Sequence, residues 1–252
     1  MTLPRETLVE CLRAAFEPLP SVHAMWLGGS DAFGANDRYS DIDAMLVVDD
    51  DAVESVFEVT VRALTALSPI ENVLRIPEPT WHGLSQAFYR LRDAGEYLLV
   101  DLTVAKRGAK TPRFNEREIH GEARVLFDKS GEARPTPFDA ARHAEKLRAR
   151  RQYLAERHFL ARMLPKKEVL RGRPLDALGM YGSMLLAPLV ELLRMRHCPV
   201  RFDFGMRYLE RDLPEDLVAR LVHLAYPRDL EDLGRCCEEA TRWIDEELAT
   251  TG

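Results

Sequence analysis

Cysteine is scarce in this chain of 252 residues, and the four present, Cys11, Cys198, Cys236 and Cys237, show no Cys-x-x-Cys spacing. The adjacent pair would point about 100° apart on a helix. Neither a zinc site nor a disulfide framework is indicated, and reduced thiols are expected. The seven histidines are scattered, without metal-ligand spacing. No stretch approaches the roughly 20 uninterrupted apolar residues of a membrane span. Arg5, Glu6 and Glu10 stand where a signal peptide would be apolar. A cytoplasmic protein without a membrane partner is expected. An excess of positive charge is also lacking. The formal net charge is −6, which argues against a nucleic-acid partner, because non-specific affinity for that backbone comes chiefly from Lys and Arg neutralising phosphates. No internal repeat or low-complexity tract is found.

What is present is globular. Hydrophobic residues make up 46% of the chain, and the length allows one large or two modest domains, each able to bury a core. The first half mixes helices and strands. Pro4 to Glu17 carries Leu8, Leu12, Ala15 and Phe16 near helical spacing; Val22 to Leu27 is a strand-like apolar run; Asp51 to Leu67 is an amphipathic helix. Glu71 to Ile76 reads as a strand. Gln86 to Leu91 is expected to pair with Glu96 to Val104 as a hairpin across Asp93-Ala94-Gly95, and Gly121 to Asp128 suggests one last strand. Gly131 to Pro137 is the best linker in the chain.

Beyond it the patterns are helical: Phe138 to Leu164, Leu175 to Arg196, Pro214 to Ala225 and Arg228 to Leu248. Pro188 should kink the second by removing a backbone hydrogen bond. The expected class is α+β, with a mixed β-sheet flanked by helices over residues 1–132 and an α-helical bundle over residues 137–252. Charge is uneven in the helical half. Arg142 to Arg173 holds eleven Lys or Arg against three Glu, whereas Asp203 to Glu247 holds thirteen acidic against six basic residues. Solvated faces are the preferred explanation, and a basic helix facing an acidic one is the alternative.

The chemistry concentrates between residues 27 and 48. Leu27-Gly28-Gly29-Ser30 is followed, after ten residues, by Asp41-Ile42-Asp43-Ala44-Met45-Leu46-Val47-Val48. Side chains of a strand alternate between faces, so Asp41 and Asp43 are expected on one side and Ile42 and Ala44 on the other. Two like charges so placed repel. A divalent ion removes that cost, and carboxylate oxygens are the ligands Mg²⁺ prefers. Gly28-Gly29 permits a sharp turn without a Cβ to block close approach. Ser30 adds a hydroxyl and an open N–H, and such turns bind phosphates. A third carboxylate, Asp101, interrupts the apolar run Leu98 to Val104, where burial without a partner is costly.

This Gly-Gly-Ser, spacer, Asp-x-Asp arrangement closely resembles the signature of the DNA polymerase β-like nucleotidyltransferase superfamily, in particular its small bacterial branch that includes aminoglycoside adenylyltransferases. The resemblance is clearest from Leu27 to Val48 and from Tyr97 to Val104. It implies a catalytic domain over residues 1–132 and a helical substrate-binding domain over residues 137–252. It further implies two Mg²⁺ ions and a nucleoside triphosphate, ATP or another NTP, held on Asp41, Asp43 and Asp101. Gly29 and Ser30 would hold the β and γ phosphates. Arg38 would offset triphosphate charge or stand as a plain loop cation. Asp101 would complete a metal's coordination or act as general base, and both roles stay open. The implied reaction moves a nucleoside monophosphate to a hydroxyl of a small molecule, such as an aminoglycoside-like antibiotic, with release of pyrophosphate. AMP transfer to a protein or RNA partner, antitoxin-like, is one alternative; a non-catalytic nucleotide-binding module is the other. Base preference, regiochemistry and oligomeric state are not legible.

Overall fold

The computed structural model describes residues 2–250, which divide into two compact units at the boundary between Phe138 and Asp139. The first unit is α+β. It begins with helix α1 (Arg5–Phe16), strand β1 (Val22–Leu27), the short helical turn α2 (Gly29–Ala32) and strand β2 (Ile42–Val48). Helix α3 (Val53–Leu67) leads to strands β3 (Ile70–Arg75), β4 (Ser85–Leu91) and β5 (Val100–Lys106), then turn α4 (Arg117–His120) and strand β6 (Arg124–Asp128). The six strands form one mixed sheet in the order β3-β4-β5-β2-β1-β6. Only β2 and β5 pair in parallel; every other neighbour is antiparallel.

Alternation along the strands gives this sheet two different faces. Ile42, Ala44, Leu46 and Val48 of β2 and Val100, Leu102 and Val104 of β5 point into a core that also takes Leu8, Leu12 and Phe16 from α1 and Val56 and Leu64 from α3. Each of the Val, Leu, Ile and Phe side chains among them, fully withdrawn from water, contributes about 1.5–3 kcal/mol. Both helices therefore belong to one face. The opposite face buries Trp26, Met45, Val47 and Ala105 under Leu84, Phe114, Ala123 and Ala133, which come from connecting segments. Asp43 shares the parity of Met45, and Asp101 that of Ala105. Both carboxylates thus stand on the face of the sheet opposite α1 and α3.

The regular elements of the second unit are all helical: α5 (Ala140–Leu170), α6 (Pro174–Tyr181), α7 (Ala187–His197), α8 (Leu209–Asp212), α9 (Glu215–Ala225) and α10 (Leu230–Ala249), with a short 3-10 turn at Pro199–Arg201. Three details depart from expectation. Helix α5 does not stop at Leu164 but runs through Pro165. Leu154, His158, Ala161, Pro165 and Glu168 are buried at alternating spacings of four and three. The proline ring is itself part of the packed seam, and burial outweighs the roughly 3 kcal/mol that an interior proline costs. Pro188 is preceded by a π-helical segment, Gly182–Leu186, and α6, this segment and α7 form one helical run. The wider turn absorbs the ring that would otherwise break the ladder. The basic stretch also faces the acidic one: Lys166 pairs with Glu238 at 2.7 Å, Arg162 with Asp245 at 2.5 Å, and His158 with Asp245 at 3.0 Å, all between α5 and α10.

Among the described residues one helical run, Pro174–His197, is long and apolar enough to cross a membrane by length and composition. Its Tyr181, Leu185, Leu189, Leu192 and Leu193 are buried in the core of this unit. Arg194 of the same run is fully buried and joined to Asp212 at 2.7 Å. One stripe of the run is therefore packed as core of this unit.

Candidate active site

The site grows from the end of β1. Gly28 donates its N–H to the Asp43 carbonyl at 2.9 Å, and the chain then turns through α2. Gly29 has φ +54°, and a Cβ there would fall 1.8 Å from Asp43 Oδ2. Glycine is required twice over, by its backbone angle and by the carboxylate resting on its Cα. The close approach that the glycine pair permits is made by the protein's own aspartate. Ser30 follows, and its Oγ is buried with no hydrogen-bond partner. A buried hydroxyl left unmatched is uncommon and costs about 1–3 kcal/mol.

Asp43 and Asp101 are partners in the parallel register of β2 and β5, with their side chains on the same face. Neighbouring strands lie about 4.8 Å apart, so the two carboxylates are direct cross-strand neighbours. Burial pushes both upward in pKa. Asp43 is raised by desolvation and then by the charges of Asp41 and Asp31. Asp101 is pushed up to about 6, chiefly by desolvation, against the lowering effect of its hydrogen bond from Gln86, with the Asp43 charge adding to the rise. No cation of this chain pairs with either at salt-bridge distance among the described residues.

Asp41 stands one residue before β2. Its Oδ1 accepts the Leu99 N–H at 3.1 Å, and its carbonyl accepts from Arg5 Nη2 at 2.8 Å and Arg5 Nε at 3.3 Å. Arg5 also grips the carboxylate of Asp31, the residue after Ser30. One guanidinium from the first turn of α1 thereby ties the glycine turn to the start of β2. Arg38, by contrast, is exposed and occupied by its neighbour Tyr39, 4.6 Å from the ring centroid and bonded to its hydroxyl. Among the described residues no hydrogen bond or ion pair joins it to any of the three aspartates. In the second unit Lys166 pairs with Glu238, and Arg171 and Arg173 pair with Glu168.

Two residues of this site escape a reading of the sequence. Arg5 attracts attention there only as a charge near the terminus, since nothing local links it to position 31 or 41. Gln86 is the other. It lies on β4 opposite Thr103, and its Nε2 donates to both Asp101 oxygens, at 2.8 and 2.9 Å. The available signal is a long amide on the half-exposed face of an alternating strand, Ser85-Gln86-Ala87-Phe88.

The donor set suits a hard divalent cation: adjacent carboxylates on one face, both destabilised as anions, beside an unmatched hydroxyl. The side chains are not gathered into a cage, however. Among the described residues no three His, Cys, Asp or Glu side chains are placed to hold a metal ion together. Asp41 is engaged by a backbone amide and Asp101 by Gln86.

No protein-family model matches the sequence, and no curated protein matches it. Among solved structures the chain is similar to an aminoglycoside 6-adenyltransferase from Bacillus subtilis, with 14% identity over 99% of this chain and 94% of that chain at a TM-score of 0.35. It is also similar to a spectinomycin adenyltransferase AAD(9) from Enterococcus faecialis, solved with ATP and spectinomycin, with 11% identity over 99% of this chain and 100% of that chain at a TM-score of 0.39. At these scores the likeness assigns neither a branch nor an activity.

Proposed function

We propose that this protein is a Mg²⁺-dependent nucleotidyltransferase that moves AMP from ATP to a hydroxyl of a small molecule and releases pyrophosphate. The observation that carries the reading is the juxtaposition of Asp43 and Asp101 in register on parallel strands, with Gly29 fitted against Asp43 and the Ser30 hydroxyl unmatched beside them. Two partly buried acids raised in pKa without a cation are costly as structure and useful as ligands.

In this reading Asp41, Asp43 and Asp101 hold two Mg²⁺ ions. Bound there, the ions supply charge stabilisation at the α-phosphate and a lowered pKa at the acceptor hydroxyl. The chain's own residues do the rest. Gly29 and Ser30 bind the triphosphate tail, the first through the turn that its positive φ permits and the second through its unpartnered Oγ. Asp101, raised in pKa by burial on its own strand, would either complete a metal's coordination or act as the general base that takes the proton of the acceptor hydroxyl. Arg5 holds the turn and β2 in fixed relation. Arg38 serves the triphosphate only if it leaves Tyr39. The acceptor is a polar small molecule, with aminoglycosides the first class to try.

The test is transfer of label from α-labelled ATP, with Mg²⁺, across a panel of aminoglycosides and lincosamides. Asp43→Asn serves as the control and should lower transfer at least about 10³-fold while the chain stays folded. Label on a small molecule, lost in the control, is the expected result. Label on protein or RNA selects macromolecular AMP transfer instead, and bound ATP without pyrophosphate release selects a binding module.

A further inference from the structure

The same carboxylate pair holds an unexplained feature: the face of Asp101 best able to chelate a cation is already taken. Gln86 Nε2 sits 2.8 and 2.9 Å from Oδ1 and Oδ2, so the open side of the carboxylate is directed at an amide on β4. Asp43 flanks Asp101 from the other side, on β2. The sheet order places Asp101's strand between the two, with an amide donor on one hand and a second carboxylate on the other. In the absence of a cation the amide wins, because it is attractive and the carboxylate is not.

The amide is itself held in the right sense. His82 Nδ1 accepts the Leu84 N–H at 3.1 Å, which assigns the ring proton to Nε2, and Nε2 faces Gln86 Oε1 at 3.4 Å. Thr80 fixes the same turn by donating its hydroxyl to the Leu84 carbonyl at 2.6 Å. With its oxygen directed at a donor and its nitrogen at an acceptor-only carboxylate, the Gln86 amide has one satisfied orientation.

We propose that Gln86 is a latch on Asp101: it occupies the chelating face of that carboxylate in the cation-free protein, and a divalent cation must displace it to bring Asp101 into coordination with Asp43. Gln86 is thus a positioning residue, acting through Asp101. The latch explains why three carboxylates so close in the fold do not form a ready metal cage. It also gives the His82 turn a purpose, because the turn sets the orientation in which the amide engages. The inference rests on the nucleotidyltransferase reading only for the premise that Asp43 and Asp101 share a divalent cation.

Two measurements on the full chain test it. In ¹⁵N-labelled protein the Gln86 side-chain amide, identified by its loss in Gln86→Met, is expected at a shifted, slowly exchanging position without metal. Mg²⁺ should move it to that of a solvent-exposed glutamine. Separately, Mn²⁺ titrated by electron paramagnetic resonance should bind Gln86→Met about tenfold more tightly than the natural chain, since a charge-assisted hydrogen bond no longer has to be broken. A Gln86 amide unmoved at Mg²⁺ concentrations that saturate the protein overturns the latch. So does a Met variant that binds Mn²⁺ equally or more weakly. If Gln86→Met fails to fold, Gln86→Ala takes its place in both measurements. Binding that disappears in Asp43→Asn but ignores Gln86 sinks the latch and keeps the site; no divalent binding in either protein sinks both.

Discussion

Two carboxylates shielded from water, Asp212 fully and Asp101 in part, one in each unit, meet opposite fates. Asp212, its side chain fully buried, is surrounded by Arg194 at 2.7 Å, Arg201 at 2.7 Å and Arg211 at 3.1 Å. These hydrogen bonds hold its pKa well below the usual carboxylate range against the cost of burial. Asp101 is also largely shielded, yet its neighbours are a neutral amide and another aspartate, and its pKa is pushed up to about 6. The first arrangement is complete and has nothing left to bind. The second lacks a positive charge, and that deficit distinguishes a candidate site from a structural ion cluster.

The contrast breaks most visibly at Arg194, which also donates to the Gly205 carbonyl at 2.8 Å. Arg194→Met removes one member of a buried network and should cost about 3–5 kcal/mol. Hydrogen exchange should show the loss within residues 139–252. Equal loss of protection in residues 1–138 would mean that the network is not a local staple. A next, smaller effect is expected at Gly29→Ala, where the added methyl collides with Asp43 Oδ2 and the backbone angle is unfavourable. Nucleotidyl transfer should drop about 100-fold, or about 2.7 kcal/mol in activation free energy. Stability should fall by only about 1–2 kcal/mol. Undiminished transfer in the alanine variant would show that the fit between Gly29 and Asp43 has no bearing on chemistry.

The smallest effect is the sharpest, because it carries opposite signs in the two units. Asp101 has a folded pKa raised from 3.8 to about 6. Its favourable contribution is therefore fully present below about pH 3.8 and lost as pH rises through 6. Asp212 has a folded pKa lowered from 3.8; its contribution is present above that value and lost as pH falls below it. Asp101→Asn should accordingly stabilise the protein by about 1–2 kcal/mol at pH 8 and by nearly nothing at pH 4, as read from urea midpoints. Asp212→Asn should destabilise at pH 8. A pH-independent effect of Asp101→Asn would contradict the assigned burial of that acid.

Much of the first unit was legible because its signals are local. Apolar runs of strand length at Val22–Leu27 and Ile42–Val48, and the amphipathic spacing of Val53, Val56, Phe57, Thr60 and Leu64, need no tertiary partner to be read. The antiparallel pairing of β4 with β5 matches the expected hairpin, but the connection takes in residues 92–99 rather than Asp93-Ala94-Gly95 alone, and β5 starts only at Val100. The second unit was harder to read. Pro165 signals a stop to any local reading, and only the seam it packs into, from Leu154 to Glu168, keeps the helix going. Likewise, whether Arg162 and Lys166 meet water or Asp245 and Glu238 depends on which face α10 presents.

The sequence alone determined that glycine, serine and two aspartates lie within sixteen residues of one another and that strand alternation would set Asp43 apart from its apolar neighbours, since both follow from chain connectivity and the pleat. Tertiary structure alone decided which carboxylate stands beside Asp43, because the register of parallel strands 58 residues apart is set by long-range packing. It also decided that Arg5 grips Asp31 and the Asp41 carbonyl, and that Gln86 rather than a cation of the chain caps Asp101. Such pairings join residues far apart in the chain, and hydrogen bonds of this kind leave no periodicity in sequence.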